Sequence, residues 1–240
     1  MSDQRSLEVS DLHSGYGDAR VLHGVDLAVP AGTGVAVLGR NGMGKTTLLQ
    51  TIMGLVRPES GRVVVDGQDV TGLPIHRIAR AGLRLIPQGR RVFSSLTVEE
   101  TLQISTRKTA SPTWTPERVY DTFGSLATRR SNRSDQLSGG EQEMLVIARA
   151  LLGSPTCLLL DEPSDGLAPK VVEQVSEIIL ALRSEGLSVV LVEQNLQLAV
   201  AASEHIYCMS RGQIVWQGTT HEFRSSRDVA LEHLGAGAVD

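Results

Sequence analysis

The chain has 240 residues and a formal net charge of −4, from 23 Lys and Arg against 27 Asp and Glu; 41% of its residues are hydrophobic and 3% aromatic. This is a globular composition with an aliphatic core, and the acidic balance argues against a general affinity for nucleic acid. No apolar run reaches the roughly 20 residues that span a bilayer. The polar start Met1-Ser2-Asp3-Gln4-Arg5-Ser6 lacks a signal-type stretch, and Cys157 and Cys208 suggest no disulfide framework. The expectation is a soluble, cytoplasmic protein that meets a membrane only through a partner.

Residues 7–30 and 61–70 alternate in polarity, and Asp66-Gly67 reads as a hairpin turn, so an antiparallel β region is expected there. Val35-Ala36-Val37-Leu38, Cys157-Leu158-Leu159-Leu160 and Val189-Val190-Leu191-Val192 are short continuous apolar runs. Such runs suit a parallel sheet buried on both faces, with Cys157 packed as a small hydrophobe. Leu48, Leu49, Ile52 and Met53 make a helical stripe closed by Gly54. Met144, Leu145, Ala148, Leu151 and Leu152 make another, opened by a capping box between Ser138 and Glu141. Residues 89–155 read as mostly helical, with a looser polar stretch at 105–118. The fold expected is α/β: one domain over 1–240, whose parallel core and antiparallel region occupy 1–88 and 156–240, with a helical subdomain inserted at 89–155. Residues 221–240 read as a short helix and a Gly-Ala tail.

Two glycine-rich segments carry the chemistry. Gly39-Arg40-Asn41-Gly42-Met43-Gly44-Lys45-Thr46-Thr47 fits G-x-x-x-x-G-K-[ST], follows a predicted strand and opens a predicted helix. Glycines let successive N–H groups face phosphate oxygens at a helix N-terminus. Lys45 is expected on the β- and γ-phosphates of a nucleoside triphosphate, and the Thr46 hydroxyl on Mg2+. Asp161, at a strand end, is a candidate Mg2+ ligand, and Glu162 a candidate general base for the attacking water. The second glycine segment is Leu137-Ser138-Gly139-Gly140-Glu141-Gln142. Its Ser138 and Glu141 are explained by a capped helix start; its paired glycines are not.

Gly39 to Thr47, Leu137 to Gln142 with Ile147-Ala148-Arg149-Ala150-Leu151 behind it, and Asp161-Glu162, in that order, resemble the ATP-binding-cassette (ABC) ATPases over nearly the whole chain. The resemblance implies an ATPase dependent on ATP and Mg2+, in which Ser138, Gly139 and Gly140 bind the γ-phosphate held by a second ATPase subunit. It implies that Tyr16 stacks on adenine, that Gln88 contacts Mg2+ and the attacking water, and that Lys45, Glu162 and Gln194 serve catalysis. Two positions depart from the family. Gln194 stands where many members have a histidine, so it can donate a hydrogen bond but not titrate near neutrality. Ala168 stands where an aspartate is usual.

Glu162-Pro163-Ser164, Gly166-Leu167-Ala168-Pro169, Val192-Glu193-Gln194-Asn195, Gly89-Arg90-Arg91-Val92-Phe93 and Leu96-Thr97-Val98-Glu99-Glu100 together resemble the smaller ATPase of branched-chain amino acid importers. Glu143 replaces a commoner glutamine, and Asp165 a frequent leucine. The implied partners are a second ATPase subunit, identical or sister, two membrane permeases, which this chain would meet on the inner face of the cell membrane, and, indirectly, a solute-binding protein. ATPases of urea or amide importers, and non-transport ABC ATPases, stay open as alternatives. Residues 88–100 would dock a permease helix, with Phe93 either its contact or a core residue. Arg129, Arg130 and Arg133 read as a solvated face, and Trp114 and Trp216 lack partners that suggest a cofactor.

Overall fold

A computed structural model describes residues 5–106 and 112–225. Two sheets organise it. The first, antiparallel, has the order β2-β1-β4-β5 and contains β1 (Arg5–Tyr16), β2 (Ala19–Pro30), β4 (Pro58–Val65) and β5 (Gln68–Asp69). The turn between β4 and β5 is Asp66-Gly67, with φ of 46° and 78°. Two successive left-handed residues define the type I′ turn that matches strand twist.

The second sheet has the order β10-β9-β3-β8-β7-β6. Here β3 (Gly34–Leu38), β6 (Leu83–Ile86), β7 (Cys157–Asp161), β8 (Ser188–Glu193) and β9 (His205–Ser210) run parallel, and β10 (Gln213–Thr219) adds an antiparallel edge. The three apolar runs become its centre. Val35 pairs with Val190, and Leu158 with Val189. Alternate side chains enter different cores: Leu158, Leu160, Val189 and Leu191 pack with buried residues of the helices between 98 and 202, whereas Cys157, Leu159, Val190 and Val192 pack toward the antiparallel sheet and α1 (Lys45–Ile52). Both faces are covered, so the strands need no polar alternation. Cys157 and Cys208 are buried free thiols, and burial pushes each up to about 12.

The helices α2 (Ile75–Arg80), α3 (Val98–Ser105), α4 (Pro116–Thr122), α5 (Gly124–Ala127), α6 (Gly139–Leu151), α7 (Pro169–Ser184), α8 (Leu196–Ala202) and α9 (Thr220–Ser225) complete the chain. The looser stretch 105–118 runs from the end of α3 into α4; its residues 107–111 lie outside the described residues, as do residues 226–240 of the helix and tail expected over 221–240. Residues 87–97 are not helical but form an irregular segment leading from β6 to α3. Trp114 is buried beneath the Arg118 guanidinium, and Trp216 packs on Phe223. Arg129, Arg130 and Arg133 are exposed, as expected; Arg130 also lies 3.8 Å over the Tyr120 ring, and Arg129 pairs with Glu141 at 3.3 Å.

Candidate functional site

The loop from Gly39 to Gly44 connects β3 to α1. Gly42 and Gly44 have φ of 79° and 103°, which a side chain would strain. Gly44 is the N-cap of α1 and supplies no side-chain cap, so the first N–H groups of the helix face outward as an anion cradle. A Cβ at Gly39 would stand 2.5 Å from the Met209 carbonyl of β9. The β9–β10 turn braces the loop from behind. Gly212 N–H donates to the Met43 carbonyl at 2.9 Å, and Arg211 N–H to Met43 Sδ at 3.4 Å. Sequence reasoning missed this brace, because its partners lie some 170 positions apart.

Lys45 is only 4% exposed and its Nζ meets three acceptors: Gly39 O at 2.7 Å, Arg40 O at 3.2 Å and Glu162 Oε1 at 3.2 Å. Thr46 Oγ1 donates to Asp161 Oδ1 at 3.1 Å. Asp161 is buried at the end of β7, and burial pushes its carboxyl up to about 6 against the Thr46 hydrogen bond; Glu162 raises it further, and Lys45 opposes. A hydroxyl, a carboxylate that burial leaves short of positive charge, and the nearby Gln88 amide are an oxygen set that suits a hard divalent cation.

Glu162 has φ of 49°, an uncommon left-handed conformation outside glycine, held by its N–H donating to Val192 O at 2.9 Å. Its carboxylate receives Nε2 of Gln194 at 3.0 Å and Nε2 of Gln88 at 3.1 Å, besides Lys45. Gln194 Nε2 also reaches Asn41 Oδ1 at 2.6 Å, and Gln88 Nε2 reaches Asp165 Oδ2 at 3.1 Å. Four sequence segments thus meet at one carboxylate. Glu193, missed from sequence, lies behind them. It is 2% exposed and accepts from the N–H groups of Ser164, Gln194 and Asn195 at 2.9–3.0 Å. A charged residue closing a fully apolar strand was its available signal. A cavity of about 570 Å3 opens beside this cluster, lined by Gly39, Arg40, Asn41, Met43 and Gln194.

Tyr16 ends β1 with 52% of its surface exposed; its hydroxyl donates to Gln50 at 2.8 Å and lies 3.5 Å from Thr47. The ring therefore stands free beside α1.

Ser138 caps α6 as expected: its Oγ accepts from Glu141 N–H at 3.3 Å, and Glu141 accepts from Ser138 N–H at 2.8 Å. The Ser138 hydroxyl proton stays free to donate. The paired glycines do have a reason within this chain. A Cβ at Gly139 would lie 2.8 Å from Arg90 Nη1, and one at Gly140 would lie 2.7 Å from Val171 Cγ1. Among the described residues, no hydrogen bond joins Ser138, Gly139 or Gly140 to the 39–47 loop. Phe93 is not a core residue: it is 46% exposed, under the Arg149 guanidinium at 5.0 Å, on a groove of about 290 Å3 shared with the exposed Ile104.

A phosphate cradle between a parallel strand and its helix, with an acid pair at the end of the parallel strand two places along the same sheet, defines a P-loop nucleotide-hydrolysing protein. The family described as ABC transporter matches residues 22–165, and the chain belongs to it. It is 41% identical over 222 residues to the high-affinity branched-chain amino acid transport ATP-binding protein BraG of Pseudomonas aeruginosa, covering 92% of this chain and 95% of that one. It is 34% identical to the lipopolysaccharide export system ATP-binding protein LptB of Haemophilus influenzae, covering 95% and 97%. The crystal structure of a nucleotide-free ATP-binding cassette from an ABC transporter superposes with a TM-score of 0.84 at 25% identity, covering 97% and 99%. The protein is an ABC transporter ATPase that couples ATP hydrolysis to transport.

Proposed function

We propose that this ATPase drives an importer of branched-chain or other hydrophobic amino acids, docked on the cytoplasmic side of two membrane permeases. The observation that carries the mechanism is the convergence of Lys45, Gln88 and Gln194 on Glu162. In this reading Gly39 to Thr47 wrap the phosphates, Lys45 spans the β- and γ-phosphates, and Tyr16 stacks on adenine, worth roughly 1–3 kcal/mol. Thr46, Asp161 and Gln88 would hold Mg2+, which supplies charge neutralisation on the phosphates. Glu162 takes the proton of the attacking water, oriented by the Gln88 amide, and Gln194 donates to the γ-phosphate. Its amide does not titrate, so the proton stays with Glu162.

Ser138, Gly139 and Gly140 share no hydrogen bond with their own P-loop, so a second ATPase subunit is the partner whose nucleotide they would contact. ATP then favours the closed pair and hydrolysis reopens it. The half-exposed Phe93 and the groove beside it offer an apolar seat for a permease helix. The BraG likeness at 41% favours amino acid import; the LptB likeness at 34% favours lipid export as the second reading.

The test reconstitutes the ATPase with its permease pair in proteoliposomes. ATP hydrolysis rises with leucine-loaded solute-binding protein if the import reading holds; stimulation by lipid extraction instead overturns it. Glu162→Gln binds ATP, hydrolyses it at least a hundredfold more slowly, and accumulates as an ATP-bound dimer on size-exclusion chromatography. A fully active monomeric variant contradicts the mechanism.

A further inference from the structure

One ionic group beside Glu162 is left unused by this mechanism: Arg90 with Glu143. Arg90 has φ of 45° and follows Gly89 at 93°. Two successive left-handed residues fold the chain back just beyond Gln88, sending the Arg90 side chain across to other segments. A left-handed arginine costs of order 1 kcal/mol, so its surroundings must hold it there.

The guanidinium meets two separate segments. Its Nη2 donates to the carbonyl of Asp165, in the loop behind Glu162. Its Nε lies 4.0 Å from Glu143 Oε2, one turn into α6. Its Nη1 lies 2.8 Å from where a Cβ at Gly139 would stand, so the fork lies against the first turn of α6. Gln88, two residues earlier, grips the Glu162 and Asp165 side chains. Gln88 and Arg90 thus hold one loop by side chain and by backbone. Glu143 is 3% exposed, and its Oε1 has no hydrogen-bond partner. A buried carboxylate with one free oxygen and a cation at 4.0 Å is an incompletely closed contact. A small shift of the 88–90 segment converts it to a direct charged hydrogen bond, which is the stronger kind.

We propose that Arg90 is a positioning residue which, through the Asp165 carbonyl and Glu143, sets the orientation of α6 relative to Glu162 and so governs how Ser138 to Gly140 are presented to the opposite subunit. This rests on reading α6 as the surface that closes on the partner's ATP. Arginine is required because its planar fork reaches a carbonyl and a carboxylate together, whereas a lysine serves one point. Arg90 and Glu143 act as one unit, so their substitutions do not add.

The experiment uses the full chain in the Glu162→Gln background. It measures ATP-driven dimerisation by sedimentation, affinity for a fluorescent ATP analogue, and thermal unfolding. Arg90→Ala and Glu143→Gln each weaken ATP-driven dimerisation about tenfold or more, and the double variant is no worse than either single one. Arg90→Lys recovers part of the loss. The analogue's Kd stays within twofold, because no P-loop contact changes. Glu143→Gln leaves no unpaired buried charge, so it keeps the test decisive if Arg90→Ala misfolds. Undiminished dimerisation in Glu143→Gln and Arg90→Lys overturns the proposal, as does a fall in nucleotide affinity and melting temperature that parallels the fall in dimerisation. A parent protein that stays monomeric at saturating ATP overturns the two-subunit reading and this proposal together.

Discussion

Replacing Glu143 by glutamine should stabilise the protein, and increasingly so as pH rises from about 4.5 to about 7. The Glu143 carboxyl is pushed from its ordinary value near 4.5 up to about 7, chiefly by burial; Arg90 opposes the shift and Glu193 adds to it. Asp161, Glu162 and Asp165 line the same cavity. Below about pH 4.5 both the folded and unfolded chains carry the proton, and the group adds no cost. Between about 4.5 and 7 the unfolded chain releases the proton while the fold retains it, so stability falls as pH rises. Above about 7 the fold carries the full cost of a buried charge. At about 1.36 kcal/mol per pH unit the gap converts to about 3 kcal/mol. Glutamine has nearly the same shape and no charge, so Glu143→Gln recovers up to that amount at pH 8 and little at pH 5. Urea unfolding of both proteins at pH 5, 6, 7 and 8 measures the difference, in which all other titrating groups largely cancel. For a chain of this size the gain at pH 8 corresponds to a melting point higher by about 6–12 °C. A stability difference that does not change between pH 5 and pH 8 refutes the reasoning.

Lys45→Ala removes the cation that meets Gly39 O, Arg40 O and Glu162, and affinity for ATP should fall at least tenfold by calorimetry; an unchanged Kd removes the phosphate role of the loop. Gly140→Ala gains helix propensity of about 1 kcal/mol but places a methyl 2.7 Å from Val171 Cγ1, an overpacking cost of about 1–3 kcal/mol. The net is a loss of up to about 2 kcal/mol by urea unfolding; a clear gain in stability contradicts the close approach of α6 and α7.

What could be read from the sequence was local. The P-loop, the Ser138–Glu141 capping box and the Asp66-Gly67 turn each depend on residues within a few positions, and each forms as its spacing implies. The three central strands were legible because burial on both faces leaves each an unbroken apolar run, at 35–38, 157–160 and 189–192. β6 was missed because it is four residues long and contains Arg84, and β10 because its side chains alternate between half-buried and exposed and its three apolar residues after Gln213 do not alternate with polar ones. The glycine pair at 139–140 illustrates a subtler limit. Reasoning from the sequence left a ligand as the only use for it, whereas Val171 crowds a Cβ at Gly140 and the tip of Arg90 lies close to Gly139, both 30 and more positions away. Ligand binding and packing therefore place the same demand on these two residues, and composition cannot separate them.

The donor count at Lys45 constrains the order of events at the site. An ammonium has three N–H donors; Gly39 O and Arg40 O each accept one, and Glu162 Oε1 faces the ammonium as an ion pair at 3.2 Å. A phosphate oxygen that engages Lys45 competes with these three partners. The Gly39 contact is the shortest at 2.7 Å and lies within the loop itself, so the contacts at 3.2 Å are the ones that yield. Release of Glu162 returns a lone pair to a carboxylate still gripped by Gln88 and Gln194, facing the loop where the terminal phosphate lies in the proposed reading. Nucleotide binding and the exposure of the base are then one exchange of partners, and the base is masked by Lys45 until a phosphate claims that lysine. Arginine at position 45 would break this exchange. Its larger fork could keep the carboxylate and the phosphate together, so Lys45→Arg should retain measurable ATP binding and lose hydrolysis; retention of both activities would show that Glu162 needs no such release.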